Sequence, residues 1–585
     1  MALEMSDLDN ITGMSNSQMP YQPMLYRGRW FILAMFCCCS MSNSYHWIHL
    51  NIISDRVLYI WNVSIPGRTA AERQLAVDTL SIVYMIAYIP LIIPATWMLD
   101  RHGLRITIIL ATCSNALGGW IKCVGGVLAV DPNTVTSESP TFAQMSAFPV
   151  LLVGQIMDAV AQVFILGIPS ALAVTWFGEL EISTATALGV LANQLGTALG
   201  FCIPPMIVAS LPSQYEPTIT PNYSSSPATL SSSPSDASND SSYQYFHQNM
   251  MYLLYIGAAI NTLPAIPVLC FFKNEPPTEP TLTQYHRKRL SASMPDVAVS
   301  SAETLNFPQH LPVEGSRYAE TVGIHTTTSP SEKEANNEVT QVSDTDSFNP
   351  RYVIVSQISS INMFTGKGFK GQLLCVLGNG NFTVLLLSYG VTTGLFYALG
   401  TLLNVILQVY FPGNAAIGWI GFTMIISGMV GSILIGVALD RTRRYRLISL
   451  LVCGVALVWM GAFTGLVLLR SLIWMFFAAG FIGFALTGFL MMGFDYAAEL
   501  TYPANEGLTS GLINASAQIF GILFLFTASH LASSFDVLYT NIFFTGLSFF
   551  GFFLLIFVKE DLRRSNLQKC IQSEILEKTI VEMNR

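Results

Sequence analysis

The chain has 585 residues, of which 52% are hydrophobic and 11% charged, with a formal net charge of -8. A soluble protein carries about twice that charged fraction, so the composition excludes an ordinary soluble fold. No basic patch with interleaved aromatics occurs, which excludes a nucleic-acid binder.

The first 29 residues are polar, contain no cleavable leader and are expected to form a cytoplasmic tail, 1–29. Apolar stretches of about twenty residues then recur, the length a helix needs to cross hydrocarbon. They predict about twelve spans, near 30–52, 77–99, 105–127, 147–171, 183–208, 249–272, 380–411, 418–439, 446–468, 471–494, 508–531 and 536–558. The expected fold class is an all-α polytopic membrane protein.

In the first span the run FILAMFCCCSM leads straight into NSYHWIHLNI, which places Asn43, His46, Trp47 and His49 within two turns. Asn43 and Trp47 are four apart and share a helix face. The second span ends in TWMLDRHGLR, 96–105, and the fourth carries an ionisable Asp158 in GQIMDAVAQVF. The fifth reads ANQLGTALGFCIPP, with Gln194 followed by Gly196 and Gly200. A Ser/Pro/Asn-rich stretch, 213–246, cannot bury a core and is expected to be a disordered extracellular loop within the N-terminal half, 30–272.

Residues 273–377 are polar and read as a disordered cytoplasmic linker. Within it RKRLSASMPD offers serines after basic residues, which suits either a kinase site or a solvated basic stretch. The C-terminal half, 378–558, has Tyr397 in TTGLFYALGTLLN, GVALDRTRRYR closing its second span, and Asn514 with Gln518 in NASAQIFGILF. A second cytoplasmic tail, 559–585, follows.

Basic residues near the spans put both termini in the cytoplasm and the sequons at Asn62, Asn222 and Asn239 outside, where glycosylation is expected. The ten cysteines fall mostly within apolar runs and form no CxxC pair, so neither disulfides nor a metal site is expected. No cofactor is expected either. HExxH, GxSxG and paired mid-span carboxylates are absent from the sequence, which argues against an enzyme.

Asp100-Arg101 and Asp440-Arg441 end equivalent spans of the two halves, where a carboxylate and a guanidinium could latch one packing of the bundle. The first and seventh spans each supply an aromatic, Trp47 and Tyr397; the fifth and eleventh each supply a glutamine, Gln194 and Gln518. Two ring faces with amides, and no carboxylate on these four helices, suit a diffuse cation that also carries a hydroxyl. Each residue has a plainer reading: Trp as interface anchor, Gln as helix glue, Gly196 and Gly200 as close packing.

The duplicated halves resemble the major facilitator superfamily, with twelve helices in two halves rocking around a midplane site. NSYHWIHL, ANQLGTALGFCIPP, SYGVTTGLFYALGTLLN and FDYAAELTYPANEGLTSGLINASAQIFGILF closely resemble the feline leukaemia virus subgroup C receptor-related transporters. The resemblance implies facilitative uniport of choline and ethanolamine, with haem export as an alternative in the same family. It implies a plasma-membrane protein, with an internal membrane as the other location. It assigns the headgroup cage to Trp47 and Tyr397, the hydroxyl contacts to Gln194 and Gln518, and a nearby place to Asn43. A receptor or scaffold that moves nothing is the alternative outside the transporter class.

Three residues depart from the family pattern. Asp158 stands where an uncharged residue is usual and would either attract a cation, carry a proton or pack. His46 and His49 stand where glutamine is usual; they would either ligate haem iron or bond to neighbouring helices.

Overall fold

The computed structural model describes residues 25–130, 141–178, 181–208, 236–278, 369–413, 415–502 and 506–563, together with 280, 504 and 565. The long helices belong to one compact unit, Met1–Arg289 with Leu373–Arg563. They are α1 (Gly28–Ile48), α2 (Ala70–Leu99), α3 (Arg101–Val127), α4 (Ala147–Trp176), α5 (Ile182–Ile207) and α6 (Asp236–Phe271) in the first half. The second half has α7 (Gly380–Gln408), α8 (Ala416–Thr442), α9 (Tyr445–Leu466), α10 (Leu472–Thr501), α11 (Glu506–Ser534) and α12 (Val537–Ile556). Eleven of the twelve are long and apolar enough to cross a bilayer. The exception, α1, carries Ser40, Ser42, Asn43, Ser44 and His46 toward its end, and all five are buried.

Local chemistry explains the helix boundaries. α2 starts with a capping box in which Thr69 Oγ1 accepts from the Glu72 amide at 3.2 Å and Glu72 Oε2 accepts from the Thr69 amide at 3.3 Å. Gly103, at φ 79°, breaks the helical path in the first turn of α3, just after α2; side chains rarely adopt that conformation. After α1 the chain makes one 3₁₀ turn, Asn51–Ile53, and a short helix, Ser54–Ile60.

Small residues bring backbones close where the bundle is tightest. A Cβ on Gly200 of α5 would lie 2.8 Å from the Tyr45 carbonyl of α1, and one on Gly196 would strike the Met41 carbonyl. In the second half a Cβ on Gly394 of α7 would lie 2.7 Å from the Gly521 amide of α11. The α1–α5 and α7–α11 crossings are therefore equivalent, and Gly196 and Gly200 are packing residues.

The halves meet along α2 with α11 and α5 with α8. Ser529 Oγ of α11 donates to Asp78 Oδ2 of α2 at 2.8 Å. Asn404 Nδ2 of α7 reaches Ser54 Oγ at 3.1 Å and Asp55 Oδ1 at 3.3 Å. Phe201 and Pro205 of α5 pack on Gly418 and Gly421 of α8. Each contact lies toward the end of the bundle at which α1 and α7 finish.

Two expectations are corrected here. Part of the stretch 213–246 is helical, because α6 begins at Asp236. Tyr243 and Phe246 are buried there, and the Tyr243 hydroxyl donates to the Ile60 carbonyl at 3.2 Å. These tertiary contacts override a polar local composition. The end of the linker is also ordered, as a helix Phe369–Leu377 ahead of α7.

Asn62 is exposed and its side-chain oxygen meets Arg73. Asn222 lies outside the described residues, as does the side chain of Asn239. The latch also escapes description. Arg101 and Arg441 are exposed, and Arg101 sits over the Trp97 ring at 5.9 Å, but the side chains of Asp100 and Asp440 are outside the described set.

Candidate functional site

α1 and α7 each bring one ring to the junction of the halves. The Trp47 and Tyr397 centroids are 5.9 Å apart, with planes at 77°, an edge-on contact. Both rings are half-buried, although the flanking His46, Ile48, Phe396 and Ala398 are buried. The two side chains thus border open space inside the molecule. Gly400, one turn beyond Tyr397, sits beside the pair: a Cβ there would make ordinary contact with Phe201 at 3.7 Å and Trp47 at 3.9 Å. On the other side Gly521 faces Met85 and Tyr397.

Gln518 precedes Gly521 by one turn on α11 and is 8% exposed, while Gln194 on α5 is half-buried. Neither amide has a hydrogen-bond partner among the described residues. Asn514, one turn before Gln518, is paired with Tyr88 of α2.

Asn43 does not join this group. It is fully buried, and its Nδ2 donates to Asn115 Oδ1 at 2.8 Å and to the Asp158 carbonyl at 2.9 Å. The four-residue spacing to Trp47 advances about 400° around a helix, so the two side chains diverge by about 40°. At a helix boxed in on several sides, that divergence separates an interior direction from the cavity.

Asp158 is also committed elsewhere. Its Oδ2 lies 2.6 Å from Lys122 Nζ, and both residues are buried. The contact is an ion pair without the angle of a directed hydrogen bond. A carboxylate held this way offers no free charge to a passing cation. The ring-lined space consequently carries no formal charge from the fourth helix.

The histidines lie behind the rings. His46 Nε2 is 3.2 Å from the Gly257 carbonyl and Nδ1 is 2.6 Å from Lys122 Nζ. His49 Nδ1 is 3.0 Å from the His46 carbonyl. Each is 1% exposed, inside the first half. His46 thus bonds to neighbouring helices, as the plainer sequence reading had it, whereas His49 reaches only the His46 carbonyl of its own segment and its Nε2 has no hydrogen-bond partner among the described residues.

Sequence reasoning passed over Lys122, Asn115, Gln155 and Asn261. The signal was present, since WIKCVGG holds one cation in the third span and GQIMDAV one anion in the fourth. Opposite charges in neighbouring spans pair, because either alone is costly in hydrocarbon.

Comparison with known proteins completes the identification. No family model matches the chain. It is 34% identical over 541 residues to the choline/ethanolamine transporter flvcr2a of Danio rerio, covering 92% of this chain and 88% of that one. It is 33% identical over 550 residues to the mouse choline/ethanolamine transporter FLVCR1, covering 94% and 78%. Among solved structures it is similar to the xylose transporter XylE of E. coli in a partially occluded inward-open conformation. That likeness has a TM-score of 0.54 at 9% identity, covers 91% of this chain and 100% of the other, and concerns the fold alone. With two repeated six-helix bundles and this extent of likeness, the chain belongs to the feline leukaemia virus subgroup C receptor-related (FLVCR) family of major facilitator transporters.

Proposed function

We propose that this transporter carries choline, and ethanolamine with it, by facilitative uniport through the space between Trp47 and Tyr397. The carrying observation is the meeting of these two rings, one from each half, in a site without a free carboxylate among the described residues. A cation over a ring face gains about 0.5–2 kcal/mol, more where water is excluded. A quaternary ammonium has no N–H groups, so rings serve it without acceptors. The unspent amides of Gln194 and Gln518 are left for the hydroxyl. The names of the zebrafish and mouse relatives support the same substrates.

Because the rings belong to opposite halves, rocking of the halves opens one side of the pair and then the other. The basic residues near the spans support cytoplasmic termini; in the plasma membrane, the location we propose, the Asp78–Ser529 and Asn404 contacts then close the outer face. Coupling needs no second ion. One positive charge moving inward gains about 2.3 kcal/mol per 100 mV, which corresponds to roughly fiftyfold accumulation.

The test is labelled choline uptake into proteoliposomes with and without an imposed potential. Uniport gives accumulation that follows the inside-negative potential and is indifferent to proton and sodium gradients. Uptake that requires either gradient overturns it.

Two further outcomes follow from the geometry. Gln194→Ala and Gln518→Ala should each weaken choline by about three- to tenfold, the worth of one hydrogen bond, and leave tetramethylammonium competition unaltered. Equal losses for both cations would remove the hydroxyl role. Ser529→Ala deletes a donor to buried Asp78 across the seam and should favour separation of the halves there by about fivefold. Ile417 is buried at the start of α8, next to the Gly418 that packs on α5, and labelling of a cysteine introduced by Ile417→Cys with an impermeant thiol reagent reads this change.

A further inference from the structure

We propose that the buried Lys122–Asp158 pair positions Trp47, acting through His46 and Gln155. This rests on the reading of Trp47 as a substrate-binding ring and names what holds that ring in place.

α1 ends at Ile48, one residue beyond Trp47. The last carbonyls of a helix have no partner within it, and at membrane depth each must be satisfied by protein. Side chains meet this need here. Gln155 Nε2 of α4 donates to the His46 carbonyl at 2.7 Å, and Ser81 Oγ of α2 donates to the Trp47 carbonyl at 3.1 Å. The backbone beneath the indole is thereby tied to two helices.

The His46 ring is tied to two more. A lysine ammonium has only donors, so His46 Nδ1 accepts from Lys122 of α3 at 2.6 Å. The proton then sits on Nε2 and is donated to the Gly257 carbonyl of α6 at 3.2 Å. Lys122 also donates to Gln155 Oε1 at 3.2 Å, which orients that amide so that its nitrogen faces the His46 carbonyl. One ammonium thus sets both the ring and the backbone of the residue before Trp47. Successive helix residues differ by about 100° in direction, so pinning residue 46 determines where the indole points.

Asp158 makes this arrangement affordable in hydrocarbon by neutralising the ammonium at 2.6 Å. Among the described residues the charged groups facing the cluster are Lys122 of α3 and Asp158 of α4; α1 contributes His46 and His49 with Tyr45, whose ring lies 5.1 and 5.3 Å from theirs, and Tyr84 comes from α2. Space for the pair is built in. A Cβ on Gly118 would strike the carboxylate of Asp158, and one on Gly154 would come within 2.6 Å of Lys122 Cγ.

The experiment compares choline uptake kinetics of three variants with wild type. Lys122→Met with Asp158→Asn removes both charges at similar volume, and Gln155→Leu removes only the relay. Trp47→Ala reports on the binding site itself. The ring's environment is followed by ¹⁹F NMR of 5-fluorotryptophan-labelled protein, with the Trp47 resonance assigned by Trp47→Phe.

A positioning role raises KM about tenfold in the double variant and about threefold in Gln155→Leu, leaves the maximal rate within twofold, and broadens or shifts the Trp47 resonance. Wild-type KM and an unmoved resonance overturn the proposal. Should the double variant not fold, Gln155→Leu decides by the same two readings. If Trp47→Ala itself transports as wild type, it is the binding-site reading that fails. If Trp47→Ala is inactive while the other variants match wild type, the anchor fails alone.

Discussion

Trp47→Ala abolishes choline uptake, and Trp47→Phe keeps a measurable part of it. The indole supplies one of the two ring faces, and its loss removes about 2 kcal/mol of cation attraction, or about thirtyfold in affinity. The greater cost is in turnover. Tyr397 meets Trp47 edge-on at 5.9 Å, so the pair also bridges the two halves. Truncation leaves a water-accessible gap where the substrate should draw the halves together. Phenylalanine restores a ring face of smaller area and weaker quadrupole, which retains the geometry but not the full attraction. Initial rates of labelled choline uptake, normalised to reconstituted protein, are the measurement. Trp47→Ala with wild-type KM and rate would mean that the cation rests elsewhere.

The parts of the molecule that were legible in the sequence are those set by periodicity and by repetition. Twenty-residue apolar runs marked the spans because lipid demands that length whatever the packing. The ring pair was legible because the halves are repeats: a polar-flanked Trp in one and a Tyr at the equivalent span in the other. What remained hidden depended on helix rotation or on partners distant in sequence. Asn43 shares a nominal face with Trp47, yet the remaining 40° of rotation sends it to Asn115. Asp158 reads from the sequence as an ion that attracts a cation, carries a proton or packs, because its partner lies 36 residues earlier on a different helix, as a single Lys122 in an apolar run. The early start of α6 was concealed for a similar reason. Ser, Asn and Asp predict a loop there, and Tyr243 and Phe246 become helical through contacts with the segment before α2.

That ion pair also sets the largest expected effect on stability. Asp158→Asn keeps the shape of the side chain but leaves the Lys122 ammonium without its counter-charge, at 1% exposure. Breaking a buried pair from one side costs about 3–5 kcal/mol, because the surviving charge has lost its compensation and has no route to water. Lys122 is enclosed by α1, α3 and α4, so its stem cannot extend to the membrane surface. The single variant should therefore melt well below wild type in detergent and reconstitute in low yield. Adding Lys122→Met should restore most of the loss, since removing both charges leaves neither ion buried. The restoration separates a charge effect from a packing effect: a cavity or clash from the Asn would persist in the double variant. Thermal unfolding of wild type, the two single variants and the double variant completes the cycle. Additive losses would show that the two side chains act independently, contrary to their 2.6 Å contact.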